Sequence, residues 1–342
     1  MKQLKAIVAV VTGLFAFTSV QAGEMTVSGT MQATYSSSVD QTTGNSLGMN
    51  TDLTFKGSTD TDFGTATWTM GTDGTFLGDS GADHTLKLAT GYGTFGVGNS
   101  GDAANAVDDI TPTAFEEANG SGSGNYTTAD VGSGMDGSMS LSYGNSDIAG
   151  TGISVAYNYY PKLDGKTNNE KGVSANESHT AASAESINVG IPVSGLPVIG
   201  DSPLGGMKIT FGYAEHENTI ANNQTLAGGT VAITMPVGPL SVGFQKKAYQ
   251  VAQADTSYYK DDIIGIAYAV NDDFAISYNL IESVNHLKGS GALYIEQETK
   301  AINAAYTVGG LTLGFQDAKT TNSGWASGTD DDARTISIKT AF

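Results

Sequence analysis

From Glu24 onward the apolar residues fall on every second position. Met25, Val27, Met31, Ala33 and Tyr35 share one parity, and Thr26, Ser28, Thr30, Gln32 and Thr34 share the other. That is the two-residue period of a strand with one apolar and one polar side. The pattern recurs around Met49–Phe55, Ala66–Met70, Leu86–Leu88, Phe95–Val97, Met139–Tyr143, Ile153–Tyr159, Ile187–Ile191 and Met207–Tyr213. It continues around Val231–Met235, Leu240–Phe244, Ile264–Val270, Phe274–Leu280, Ile302–Val308, Leu311–Phe315 and Ile336–Phe342, so the spacing predicts 16 strands.

The connections alternate as well. Seven are mostly short and rich in Gly, Pro, Asn and Asp, the residues that turns demand, around 60–63, 91–94, 145–150, 192–205, 236–239, 271–273 and 309–310. Eight are longer and polar: 36–47, 72–83, 100–136, 160–184, 215–225, 246–260, 282–293 and 317–332. In an up-and-down meander this order puts every short turn at one end and every long loop at the other. A soluble sandwich also alternates, but it has no reason to sort loops by end. A transmembrane antiparallel β-barrel does, and it is closed because lipid leaves no water to satisfy a strand edge. The expected fold is therefore an all-β, up-and-down transmembrane barrel of about 16 strands. Tyr35, Tyr159, Tyr213 and Phe244 near the long-loop ends, and Phe63, Phe95, Phe274 and Phe342 near the short-turn ends, suit interfacial girdles.

The first 22 residues have a different pattern. Lys2 and Lys5 precede an apolar run from Ile7 to Phe17, and Val20-Gln21-Ala22 gives a small-x-small cleavage pattern before Gly23. The run is short for a spanning helix, which needs about 20 residues. The reading is a secretory signal over residues 1–22, cleaved near Ala22, and a barrel domain over residues 23–342. Loss of Lys2 and Lys5 moves the net charge from −19 to −21.

Composition sharpens this picture. Glycine supplies 45 of 342 residues, and charged residues make up 15% against a usual ~25%. There is no cysteine, which removes disulfides, thiolate metal sites and thiol nucleophiles. The acidic balance argues against a nucleic-acid partner, which would need clustered Lys and Arg.

With these features in place, the chain resembles the general Gram-negative porin family. The resemblance rests on the leader, the 16 alternating segments, the eight long loops, the seven turns, the terminal Phe342 and the stretch Gly93-Thr94-Phe95-Gly96-Val97-Gly98-Asn99. It covers residues 24–342. It implies a homotrimer in the cell outer membrane, in contact with its lipid and lipopolysaccharide. It also implies a water-filled pore for small hydrophilic solutes and ions in each subunit, and a third loop folded inward as a constriction. No cofactor and no resident metal is expected. Phe342 resembles the C-terminal sorting signal of outer-membrane barrels.

The longest connection, 100–136, is the candidate constriction. It carries Asp102, Asp108, Asp109, Glu116, Glu117 and Asp130, and Thr111-Pro112 with Gly120 predicts a short capped helix. Its second half, Gly120–Gly134, is rich in Gly and Ser. Parity gives the opposing bases: Lys56, Lys87, Lys208 and Lys339 all fall on the polar side of their segments. The family's basic cluster is typically arginine, whereas Arg334 is the sole arginine here, so a rigid guanidinium ladder is absent. The excess of acids points to a cation-preferring pore.

Other motifs compete. Gly91-Tyr92-Gly93-Thr94-Phe95-Gly96 reads G-x-G-x-x-G, but a dinucleotide site needs a helix to begin there and the pattern predicts a strand. Asp330-Asp331-Asp332 offers carboxylates to a divalent cation or is a solvated acidic run. His84, His179, His216 and His286 show no paired spacing. The alternative functional readings are an outer-membrane barrel enzyme and a secreted all-β adhesin or surface-layer protein.

Overall fold

Each alternating segment is a strand in the computed structural model, which describes residues 24–38, 46–73, 83–99, 101–116, 118, 131, 135, 137–163, 181–195, 205–218, 225–250, 258–286 and 294–342. The leader read at residues 1–22, together with Glu117, Gly120, Asp130 and His179, lies outside them. The strands are β1 (Glu24–Ser38), β2 (Leu47–Thr61), β3 (Gly64–Asp73), β4 (Asp83–Thr90), β5 (Gly93–Gly98), β6 (Ser140–Asn145), β7 (Ser154–Tyr160) and β8 (Ala181–Pro192). They continue as β9 (Lys208–Asn218), β10 (Leu226–Val237), β11 (Leu240–Gln250), β12 (Tyr258–Ala269), β13 (Phe274–His286), β14 (Glu296–Val308), β15 (Leu311–Thr321) and β16 (Asp331–Ala341). Every strand pairs antiparallel with its sequence neighbours, and β1 pairs with β16 to close the barrel.

Parity decides which way each side chain points. Ile302, Ile336 and Phe315 face outward and are exposed, while Gln245, Asn303 and Gln316 face inward and are fully buried. The barrel is thus apolar outside and polar inside, the reverse of a soluble sandwich. Several strands run further toward the long loops than the apolar alternation does. β11 continues to Gln250, β13 to His286, and β16 already begins at Asp331. The backbone ladder persists where the outward residues turn from apolar to charged. Lys246 pairs with Asp262, Lys260 with Asp262 at 3.3 Å, and Arg334 with Asp317 at 2.9 Å on that outer rim.

Two short turns repeat one device. Thr61-Asp62-Phe63-Gly64 and Thr90-Gly91-Tyr92-Gly93 each begin with a threonine whose hydroxyl donates to the glycine carbonyl (2.7 and 2.8 Å) and accepts the aromatic residue's N–H (3.3 and 3.1 Å). Gly64 and Gly93 have φ of 140° and 122°, a region that only glycine adopts easily. The G-x-G-x-x-G stretch is therefore a turn leading into β5, and no helix starts there.

The seam is tied at the last residue. The N–H of Phe342 donates to the Gly29 carbonyl at 3.0 Å, and the Gly29 N–H donates to the Phe342 carbonyl at 2.9 Å. A Cβ on Gly29 would lie 2.8 Å from the Phe342 ring and 2.7 Å from the Asp52 carbonyl, so the glycine is a seat for the terminal aromatic. Gly29→Val is expected to lower barrel stability by about 1–3 kcal/mol through this overlap. The temperature at which the compact band converts in detergent gels measures it.

Candidate functional site: the lumen and its inward-folded loop

The described part of loop three follows β5 and lies along the inner wall from β7 to the closing seam. Its backbone is held by wall side chains of lumen-facing parity. On β8, Asn188 donates to the Ala103 carbonyl at 2.6 Å and Ser186 accepts the Ala103 N–H at 3.2 Å. On β11, the Gln245 amide donates to the carbonyls of Val107 (3.0 Å) and Asp108 and accepts the Ile110 N–H at 3.1 Å. On β13, Asn279 donates to the Pro112 carbonyl at 3.1 Å and Ser277 accepts the Ala114 N–H at 2.9 Å. Gln316 of β15 donates to the Glu116 carbonyl at 3.2 Å, and Gln32 of β1 donates to the Glu116 carboxylate at 3.3 Å.

These bonds explain why the helix expected from Thr111 and Pro112 does not form over 111–116. The wall already satisfies the N–H and C=O groups that a helix would pair internally. A single 3-10 turn, Asn105–Val107, stands earlier in the loop.

The candidate acids separate into two environments. Asp102 is 4% exposed and Asp108 is 5% exposed. Asp102 accepts the Ala104 N–H at 2.8 Å, and Asp108 accepts the Val131 N–H at 3.3 Å. Both carboxylates are turned into the packing of the loop. Asp109 keeps partial exposure, while Glu116 is half-buried near the seam. Burial raises the Glu116 pKa above the ordinary carboxylate value, offset in part by the Gln32 hydrogen bond and the nearby Lys339 charge.

The candidate bases are more spread. Lys56 and Lys87 occupy the lumen face of β2 and β4, with Thr69 and Thr67 of β3 as their respective cross-strand partners. Lys87 leans over Gly96, and it lines a cavity of about 600 Å³ together with Thr85, Asp102, Ser142, Asn158 and Asn188. Lys339 is the cross-strand partner of Gln32, which places it beside Glu116. Lys208 opens β9 at the short-turn end and lies over Gly190, away from the loop.

The residue that the pattern did not single out is Lys247. Its side chain is fully buried on the lumen face of β11, 2.8 Å from Asp109 and 3.3 Å from Asp108. Asp261, also fully buried, is its cross-strand partner on β12. The doublet Lys246-Lys247 carries the signal, since adjacent residues of a strand must face opposite ways. Tyr159-Tyr160, Ile263-Ile264 and Leu280-Ile281 are doublets of the same kind. Their inward members cover loop three: Tyr160 packs with Ala104, Val131 and Met135, and Ile263 and Ile281 pack with Ala118.

The acidic run near the C-terminus does not converge. Asp330 is exposed, Asp331 is buried on the lumen side at the start of β16, and Asp332 takes the opposite parity.

Lys247→Met removes the cation facing Asp108, Asp109 and Asp261. It is expected to destabilise the barrel by about 3–5 kcal/mol, the range for breaking one side of a buried ion pair. Denaturant midpoints measure this, and adding Asp108→Asn is expected to recover part of the loss.

No family model matches the sequence, and no curated protein matches it. Solved structures do match its shape. A porin refined at high resolution shares a TM-score of 0.63 at 15% identity, covering 93% of this chain and 100% of the other. Salmonella typhi OmpF, in complex with daunomycin, gives 0.62 at 15% identity over 94% and 98%. Vibrio cholerae OmpT, an outer membrane protein in a trimer form, gives 0.57 at 10% identity over 94% and 100%. The chain's closed 16-stranded barrel is the fold it shares with these solved structures.

Proposed function

We propose that this chain is a general porin of the Gram-negative outer membrane, a passive water-filled channel for small hydrophilic solutes and ions with a preference for cations. The observation that carries the reading is the combination of a closed barrel, apolar outside and polar inside, with a loop folded against half of its inner wall. A closed strand cylinder with an outward apolar belt suits lipid, because every backbone group is paired and no edge remains. On this reading the short turns face the periplasm and the long loops face outward from the cell. Residues 1–22 are the export signal removed near Ala22, and Phe342 is the C-terminal sorting signal. The charged rim above the apolar belt, including Lys246, Lys260 and Arg334, suits lipid and lipopolysaccharide headgroups. Three copies form the working unit, as the trimer form of the Vibrio cholerae protein suggests.

The cation preference is read from the acids on the loop and from the net charge of the whole chain. Asp109 and Glu116 stand on the loop, and the net charge is strongly negative. A pore rimmed by one sign concentrates the opposite ion. Lys56, Lys87, Lys208 and Lys339 on the lumen face oppose this, so the preference rests on the net negative charge of the chain.

Planar-bilayer recording of the purified protein in a salt gradient is expected to give steady conductance with a cation-selective reversal potential. Absence of current, or anion selectivity, would overturn the reading. Glu116→Gln is expected to reduce the cation-to-anion permeability ratio by a factor of about 2–5, the effect of one charge a few ångströms from a hydrated ion.

The pH dependence has a defined sign. The Glu116 pKa is raised by burial, so as pH falls this carboxylate takes up its proton at a higher pH than an ordinary glutamate does. Cation selectivity is therefore expected to step down, as pH falls, at a pH above the ordinary glutamate value. Reversal potentials recorded across pH check this, and the step is expected to be missing in Glu116→Gln.

A further inference from the structure

Five glycines on the lumen face lie directly beneath loop three. A Cβ on Gly212 of β9 would lie 2.8 Å from the Val107 side chain. One on Gly228 of β10 would lie 3.2 Å from the Val131 backbone, and one on Gly265 of β12 would lie 2.7 Å from the Pro112 carbonyl. One on Gly243 of β11 would overlap the Pro112 ring, and one on Gly314 of β15 would overlap the Phe115 ring. None of the five has a positive φ, so each could carry a side chain as far as its backbone is concerned. Glycine weakens a strand and marks a place where another backbone approaches closely. Here the approaching chain is the loop itself.

We propose that these glycines form a track that sets how far loop three stands off the wall, and so fixes the cross-section and selectivity of the pore. The inference rests on the channel reading. The wall hydrogen bonds from Gln245, Asn279 and Gln316 fix the loop along the circumference, whereas the glycines fix its depth. Depth matters most at Gly314. Phe115 sits on it, and the next residue is Glu116, the half-buried acid near the seam. Restoring ordinary contact of ~3.5 Å after adding a methyl there would move the ring by about 1 Å toward the pore axis. The track is confined to one half of the barrel. Gly71, on the lumen face of β3, has open space above it.

Single-channel recording of Gly314→Ala, Gly243→Ala and Gly71→Ala tests this. The first two are expected to lose conductance and shift their reversal potential, and Gly71→Ala is expected to match the wild type. Adding Phe115→Ala to Gly314→Ala is expected to restore the lost conductance, because it removes the overlapping ring. Folded Gly314→Ala that conducts as the wild type does would overturn the proposal. If Gly314→Ala does not fold, recovery of the folded band in the double variant supports the track, and failure to recover overturns it. A folded wild-type barrel that carries no current would instead overturn the channel reading itself.

Discussion

A strand edge left open would present a row of N–H and C=O groups with no partner, a cost that an apolar surrounding does not forgive. The ladder between β1 and β16 removes that edge, and the rest of the molecule follows from it. Closure leaves two faces that never mix. The outer face can be apolar because it meets no core, and the inner face can be polar because nothing apolar has to fill it. The reciprocal bonds between Gly29 and Phe342 show how far this demand reaches. The ladder is carried to Phe342, and a glycine opposite leaves room for its ring.

The inner face then takes on a second task. A loop brought inside a barrel carries its own backbone groups and must find partners for them. Gln245, Asn279 and Gln316 supply those partners, and Lys247 balances the acids that the loop brings in. Inward Ile263 and Ile281 cover Ala118, a small apolar patch in a polar lumen. The described part of the loop is packed as a core element is packed, by hydrogen bonds, charge and contact together.

The alternation made the strand count and the direction of most side chains legible, because a period of two is the direct imprint of a two-faced sheet. Strand ends were less legible. Lys247, Asp261 and Asp331 belong to strands whose outward neighbours are already charged, so hydrophobicity gives no hint that the ladder continues. The site was half legible. Parity placed Lys56, Lys87 and Lys339 on the lumen face, and length marked the loop. Burial of Asp102 and Asp108 was not readable, since it depends on wall residues more than 80 positions away, such as Ser186 and Lys247. Thr111 and Pro112 form a sound helix-start signal that tertiary partners overrode.

The described part of loop three is held against the side from β7 to the seam, and the lysines Lys56 and Lys87 stand on β2 and β4. The two halves of the passage are therefore built from different stretches of sequence with different mechanical character. One is a fixed sheet whose charges can be exchanged singly without moving any backbone. The other is a tethered strap whose shape answers to every residue beneath it. Changes in the charge of the passage and changes in its width can thus arise separately, from substitutions in non-overlapping parts of the chain.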